Sequence, residues 1–374
     1  MREAAVYVHL PFCPYICPYC DFAKWPHRRS AEKRYLEALF AEVEDAPKAR
    51  GTTLFFGGGT PNTIDTRALV ALVERLRMRF EIPEGAEITL EANPDRALCG
   101  AFAAYRSAGI SRLSLGVQSF DERELRILGR RHTAADVTAA VEAARRGGFE
   151  DLSLDLIFGI PGGSLASWER SLDAALALRP EHISTYGLTV EPGTPLATWY
   201  AREPGAFPSS DVEAEQYRLA IEKLGAAGYE QYEISNFARP GHRSRHNQNY
   251  WANGEYIGLG VGAASYLDRV RSVHTRDLDA YVRAALARTP IPGESEQLGP
   301  LARLGEATML ALRTTEGVDL ESFHERYEVD FLRHYERQVR ELESGGMLEV
   351  RAGRVRLTLA GRFVANDVCS AFIA

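Results

Sequence analysis

Apolar residues along this chain recur in two registers. Six short β-prone runs, AVYVHL (5–10), TLFFGG (53–58), EITLEAN (87–93), RLSLGVQ (112–118), LSLDLIFG (152–159) and HISTYGLTV (182–190), are each followed by a helical pattern or a Gly-containing turn. Between them lie stretches such as EKRYLEALFAEVE and TRALVALVERLRMRF, apolar at helical spacing. Repetition of strand, helix and strand predicts parallel strands joined by right-handed crossovers. Six units fit an open, partial (β/α)6 barrel better than a closed eightfold one, so the expected class is α/β, with the barrel over residues 1–205. Beyond 205 the texture changes. EPGAFPSSDVEAEQYRLAIEKLGAAGY reads as a Pro/Gly-rich linker and then a helix capped by Ser209 or Ser210. Residues 206–290 are expected to extend the barrel. A second Pro/Gly-rich stretch, 289–300, precedes a mainly helical C-terminal domain, 300–374, ending in a small β-hairpin with Gly353 in its turn.

Helices followed by a β-wing suggest a winged-helix DNA binder. Over 321–374, however, acidic residues outnumber arginines, and the whole chain carries a net charge of −7, so the electrostatic footprint of a nucleic-acid partner is missing. The apolar run before Pro11 is too short for a signal-peptide core. Uncharged stretches such as the Gly-rich YIGLGVGAASYL (256–267) fall short of the roughly 18 apolar residues a membrane helix needs. A cytoplasmic protein is expected.

The carboxyl ends of parallel strands carry the chemistry in such folds, because the loops there converge on one mouth. Cys13, Cys17 and Cys20 follow the first predicted strand, GGGTP (57–61) ends the second, Glu91 the third and Gln118 the fourth, while Asp155 lies within the fifth. Any one of these polar residues is ordinarily a turn or cap; their recurrence at one end of successive strands is not. Three of only five cysteines fall within eight residues as CxxxCxxC, a poor disulfide framework and a better metal or redox one. Thiolates select zinc, copper(I) or iron–sulfur clusters. A structural zinc site and a ferredoxin-type cluster each want four protein ligands. Here a fourth is missing locally, although the fold could bring up Cys99 or Cys369, and His9 is a conceivable ligand.

CxxxCxxC with Phe22 two positions on and GGGTP a few dozen residues later resembles the radical S-adenosylmethionine (SAM) superfamily. The resemblance implies a [4Fe–4S] cluster whose open iron is chelated by SAM, and reductive homolysis to a 5′-deoxyadenosyl radical. Within it, YVHLPFC, GGGTP, LEANP, LGVQSF, ILGRRH and LDLIFGIPG match the coproporphyrinogen-oxidase branch over roughly residues 5 to 240. That match implies cluster ligation by Cys13, Cys17 and Cys20. It also implies SAM contacts from Gly57, Gly58, Gly59, Thr60, Glu91, Gln118, Arg130 and Asp155, with Tyr7, Tyr19 and Thr189 nearby. The glycines are expected to let backbone approach the methionine moiety. Arg130, chosen over Arg131 by register alone, is expected to pair with the SAM carboxylate.

The oxidases of this branch carry a further cysteine two positions after the third; this chain has Phe22 there. RHNQNYW (245–251) instead fits the HNxxYW motif of the branch's heme chaperones, through His246, Asn247, Tyr250 and Trp251. Heme demands an axial ligand and an apolar or aromatic pocket, which His246 beside Tyr250 and Trp251 is expected to supply, with RPGHRSRH (239–246) meeting the propionates. The implied partners are heme and a heme-acceptor protein, a membrane respiratory enzyme being the expected kind, with membrane association only through that partner. In that reading the cluster and SAM regulate dimerisation or transfer, in a monomer or a dimer. The alternatives are an oxygen-independent coproporphyrinogen III oxidase and a thiolate zinc protein.

Overall fold

The computed structural model describes residues 1–373. Six parallel strands lie side by side in chain order: β1 (Glu3–Leu10), β2 (Arg50–Gly58), β3 (Glu87–Ala92), β4 (Arg112–Gln118), β5 (Asp151–Phe158) and β6 (His182–Gly187). The predicted β4 matches residue for residue. The predicted β6 overshoots, because Leu188 and Thr189 leave the ladder and turn into the mouth of the sheet. Helices α1 (Arg29–Asp45) and α2 (Thr66–Arg79) form crossovers, as do α3 (Ala134–Arg146) and α4 (Leu165–Ala177). Side-chain caps set the starts of the last three: Asp65 accepts from the Arg67 and Ala68 amides, and Thr133 with Asp136 and Ser164 with Ser167 form capping boxes. Their apolar stripes and the strands share one core that runs from Ala4 to Ala285.

The sheet is wider than six strands. Tyr256–Leu259, inside the Gly-rich stretch, is a seventh parallel strand, β7, on the outer side of β1. Antiparallel strands continue from it to Gly293–Gln297 at one edge, and Asn236–Ala238 with Glu230–Gln231 complete the other. The order runs from edge to edge without closing. Helix α5 (Ser210–Ala226) is capped by Ser209, not Ser210.

The C-terminal region has its own core, from Leu304 to Phe372. The hairpin is present as Leu348–Arg351 and Arg354–Leu357, joined by Ala352 and Gly353, both at positive φ as a two-residue turn requires. It is not the end of the chain: Val318–Asp319 adds a third strand, and two short helices follow, returning Cys369 and Phe372 to the core. The region joins the sheet edge through backbone bonds, Ile234 N–H to Arg313 O at 3.1 Å and Thr315 N–H to Tyr232 O at 3.1 Å. Among the described residues no helix is long and apolar enough to cross a membrane.

Candidate functional site: a cysteine-rimmed cavity at the strand ends

Past Leu10 the chain forms a loop whose short pair, Phe12–Cys13 with Trp25–Pro26, pins both ends of the cysteine segment. Two glycines at the end of β2 make room for it. A side chain on Gly59 would lie 2.6 to 2.8 Å from the backbone of Leu10, Pro11 and Phe12, and one on Gly58, at φ 109, would strike the His9 ring. The close approach these glycines permit is therefore to the chain itself, with Gly59 and Thr60 donating to Leu10 O and Phe12 O at 2.8 Å. Gly58 and Gly59 border the cavity, whereas Gly57, expected to join them, sits behind Glu91.

The loop and the strand ends enclose a cavity of about 380 Å³. Its wall includes Cys13, Cys17, Cys20, Tyr19, Gly58, Gly59, Thr60, Glu91, Gln118, Arg130, Asp155 and Thr189, gathered from positions far apart in sequence. Arg130 donates to Asn93 Oδ1 at 2.6 Å and Gly116 O at 2.7 Å, and its Nη1 lies 3.7 Å from Cys17 Sγ. Arg131 is exposed and stacks over Tyr15 outside the cavity, so the structure separates the two arginines that register alone could not. Gln118 adopts φ 68 just after a break in the β4–β5 register, which turns its side chain inward.

Two carboxyls share this mouth. Glu91 accepts from the Gly58 N–H at 3.2 Å; burial, reinforced by the charge of Asp155, pushes it up to about 8. Asp155 is also raised by burial, but the hydroxyls of Ser114 and Ser153 oppose this by donating to it at 2.9 to 3.2 Å. Burial likewise lifts Cys13, to about 11, and Cys20. A metal reverses that by taking the thiolate form.

The donor set fits a three-cysteine cluster. Cys99 Sγ bonds to Asp95 O and Cys369 Sγ to Met309 O, and neither borders the cavity. Both His9 nitrogens are taken, by Tyr7 at 3.0 Å and Ala23 O at 2.7 Å. The buried Arg130 Nε has no partner, a free donor at the cavity wall. Among the described residues no three His, Cys, Asp or Glu side chains converge on a single-ion site. Thiolates that each bind a different iron of one cluster stand apart, so this spacing suits a cluster better than zinc.

The remaining sequence candidates do not converge. Tyr7 faces a second chamber, about 480 Å³, that shares Gly58, Glu91 and Phe22 with the cysteine cavity and is also lined by Tyr250, Tyr256 and Arg276. The HNxxYW residues lie on α6 (Arg245–Trp251), whose N-terminus is capped by Ser244 and by Glu87, which accepts from the Arg245 and His246 amides at 2.9 Å. His246 is 1% exposed, stacked on Phe55, and hydrogen bonded by Nδ1 to Thr53 at 2.8 Å and by Nε2 to Tyr250 at 2.9 Å; burial lowers it to about 3, so it is neutral. Tyr250 opens on the second chamber. Trp251 borders a different cleft, against the C-terminal region and beneath Arg313, and Asn247 lines neither. Against the expected single pocket with His246 presented as an axial ligand, both of its ring nitrogens are already engaged; Tyr250 packs edge-on against it and fronts the second chamber, while Trp251 turns away to the cleft.

Sequence reasoning missed Tyr15, Asn93, Ser114, Gly116 and Tyr186 in the cavity wall. A signal existed for several of them. Arg112, Ser114, Gly116 and Gln118 occupy alternate positions of β4, as His182, Ser184 and Tyr186 do on β6; polar residues at period two in a strand covered on both faces mark the inner surface.

The Radical SAM superfamily matches residues 7–175 and the HemN C-terminal domain residues 298–364. Curated relatives include the heme chaperone HemW of Bacillus subtilis, 35% identical over 99% of both chains, and that of Mycobacterium tuberculosis, 37% identical over 97% of this chain and 93% of the relative. Among solved structures, coproporphyrinogen III oxidase (HemN) from Escherichia coli, described as a radical SAM enzyme, superposes with a TM-score of 0.86 at 23% identity, covering 99% of this chain and 90% of that one.

Proposed function

The chain belongs to the heme chaperone HemW family of the radical SAM superfamily, and from that premise we propose that it binds heme and passes it to an acceptor protein. A [4Fe–4S] cluster and SAM occupy the cysteine cavity in this reading. The observation that carries it is the convergence of Cys13, Cys17 and Cys20 on one cavity with Arg130 and two carboxyls, while every other cysteine is held elsewhere. When bound, the cluster and SAM supply one-electron chemistry. The chain's own residues do the holding: the three thiolates ligate, Arg130 pairs with the amino-acid carboxylate, and Glu91, Gln118 and Asp155 accept from or donate to the amino and ribose groups, with Tyr19 and Thr189 beside them. Phe22, where the oxidases of the branch have a cysteine, favours the chaperone over decarboxylation.

Heme meets Tyr250 first. It is the HNxxYW side chain that fronts the chamber adjoining the cysteine cavity, and ligation by His246 must displace the Tyr250 phenol from Nε2. The acceptor is a membrane respiratory enzyme, reached from the cytoplasm. Titrating heme into purified protein while following its Soret band, beside an anaerobic assay with coproporphyrinogen III, SAM and a reductant, tests this. Saturable heme binding without decarboxylated product is the expected result; product formation with no heme binding would replace the chaperone reading with the oxidase.

A further inference from the structure

Behind Asp155 a chain of buried polar groups runs down the inside of the sheet. Ser153 Oγ lies 3.2 Å from Asp155 Oδ1 and 2.8 Å from His182 Nδ1; His182 Nε2 lies 2.9 Å from the Tyr232 hydroxyl. Ser153, His182 and Tyr232 are each 2% exposed. Ser153 and Asp155 share the inner face of β5, and His182 stands opposite Ser153 in the β5–β6 register, so the backbone fixes the spacing. Tyr232 belongs to the edge where the C-terminal region docks and borders the cleft there.

Proton counting gives this chain a direction. His182 is neutral, since burial and then the charge of Arg112 push its pKa well down, and therefore has one N–H. Asp155 in its ionised form only accepts, so Ser153 spends its single hydrogen on the carboxylate and must accept from His182 Nδ1–H. Nε2 is then an acceptor, filled by the Tyr232 O–H. Every donor thus points toward Asp155.

We propose that His182 and Tyr232 are positioning residues for Asp155, acting through Ser153 to hold it as an oriented, ionised acceptor for a hydroxyl of the ligand in the cysteine cavity. The proposal rests on the reading of that cavity as a SAM site. Its chemistry is that of hydrogen bonds aligned toward one charge, which favour the ionised form and fix its lone pairs. Other groups face Asp155: Glu91 from β3, Arg112 from β4 and Tyr186 from β6, with Glu233 and His242 close to the chain; of these, Arg112 reinforces the carboxylate and Glu91 opposes it.

SAM affinity of anaerobically cluster-loaded protein, measured by equilibrium dialysis, tests this in wild type, Tyr232→Phe, Ser153→Ala and the double variant. Each single change is expected to weaken binding about three- to tenfold, the worth of one hydrogen bond, with iron content unchanged. The double variant should be no worse than the weaker single, because one chain is cut once. Below neutral pH, loss of binding should set in at higher pH in both variants than in wild type. Wild-type affinity in either single variant, or losses that multiply, would overturn the proposal. A second readout needs no cofactor: ¹⁵N shifts of His182 should report the Nδ1–H tautomer, and an Nε2–H form would overturn it even if a variant failed to fold. Absence of SAM binding in wild type, with that tautomer present, would instead sink the reading of the cavity.

Discussion

The cysteine cavity and helix α6 organise their residues in opposite ways. In the cavity, side chains scattered from Cys13 to Thr189 converge, because the carboxyl ends of successive parallel strands are neighbours in space. On α6, four motif residues within a six-residue run end in different surroundings: His246 in the interior with Tyr250 packed on it and fronting one chamber, Trp251 at a cleft against another core, and Asn247 at neither. Contiguity in sequence is a poor guide to a common site on a helix, where neighbours point about 100° apart. It is also the reason α6 can join parts: Glu87 of β3 holds its start, Thr53 of β2 holds His246, and Arg326 of the C-terminal region donates to the carbonyls of Ala252 and Asn253 just past its end, each at 2.6 Å.

The comparison breaks most sharply at the cysteines. Replacing Cys13, Cys17 or Cys20 with Ala is expected to abolish iron incorporation on anaerobic reconstitution, whereas Cys99→Ala and Cys369→Ala retain it; loss of iron in either remote variant would mean the cavity is not self-sufficient. Next in size is His246→Ala. Removing a buried ring that makes two hydrogen bonds and a stack should cost on the order of 3 kcal/mol in urea unfolding, while leaving iron content unchanged. A shift below about 0.5 kcal/mol would return His246 to the role of an exposed ligand.

Glu91 separates the regions by pH. Its folded pKa, about 8, lies above the unfolded value, so the folded form binds the proton more tightly. The stability it contributes is fully present below about pH 4 and is lost as pH rises through 8. In cofactor-free protein, Glu91→Gln should therefore gain stability over wild type at pH 9 relative to the same pair at pH 6; a difference independent of pH would place the carboxyl in water. The smallest expected effect is Tyr250→Phe, which should weaken heme binding several-fold by titration with little change in unfolding midpoint. Unchanged affinity would move the heme away from the second chamber.

What the sequence made legible follows from this contrast. The six strands were readable because each is an apolar run that ends in a turn, and the cavity residues because they fall at those ends. Tyr256–Leu259 escaped because it is only four residues long within a Gly-rich stretch, although Ile257 and Leu259 are buried against β1. Arg130 and Arg131 were inseparable without knowing which follows the turn inward. The partners of His246 lay beyond reach altogether: Thr53 is 193 positions away, and nothing in HNQNYW indicates that Nδ1 is already occupied. The polar alternation along β4, β5 and β6 is visible in the sequence but reads as a solvent-facing surface until that face is known to turn onto the cavity.

The central claim, a cluster held by three thiolates with one iron left open to SAM, is tested most directly by electron paramagnetic resonance of the reduced, reconstituted protein before and after SAM is added. The account predicts a [4Fe–4S] signal whose g-values shift when SAM binds. A spectrum that SAM leaves unchanged would contradict it, as would reconstituted protein that takes up zinc in place of iron.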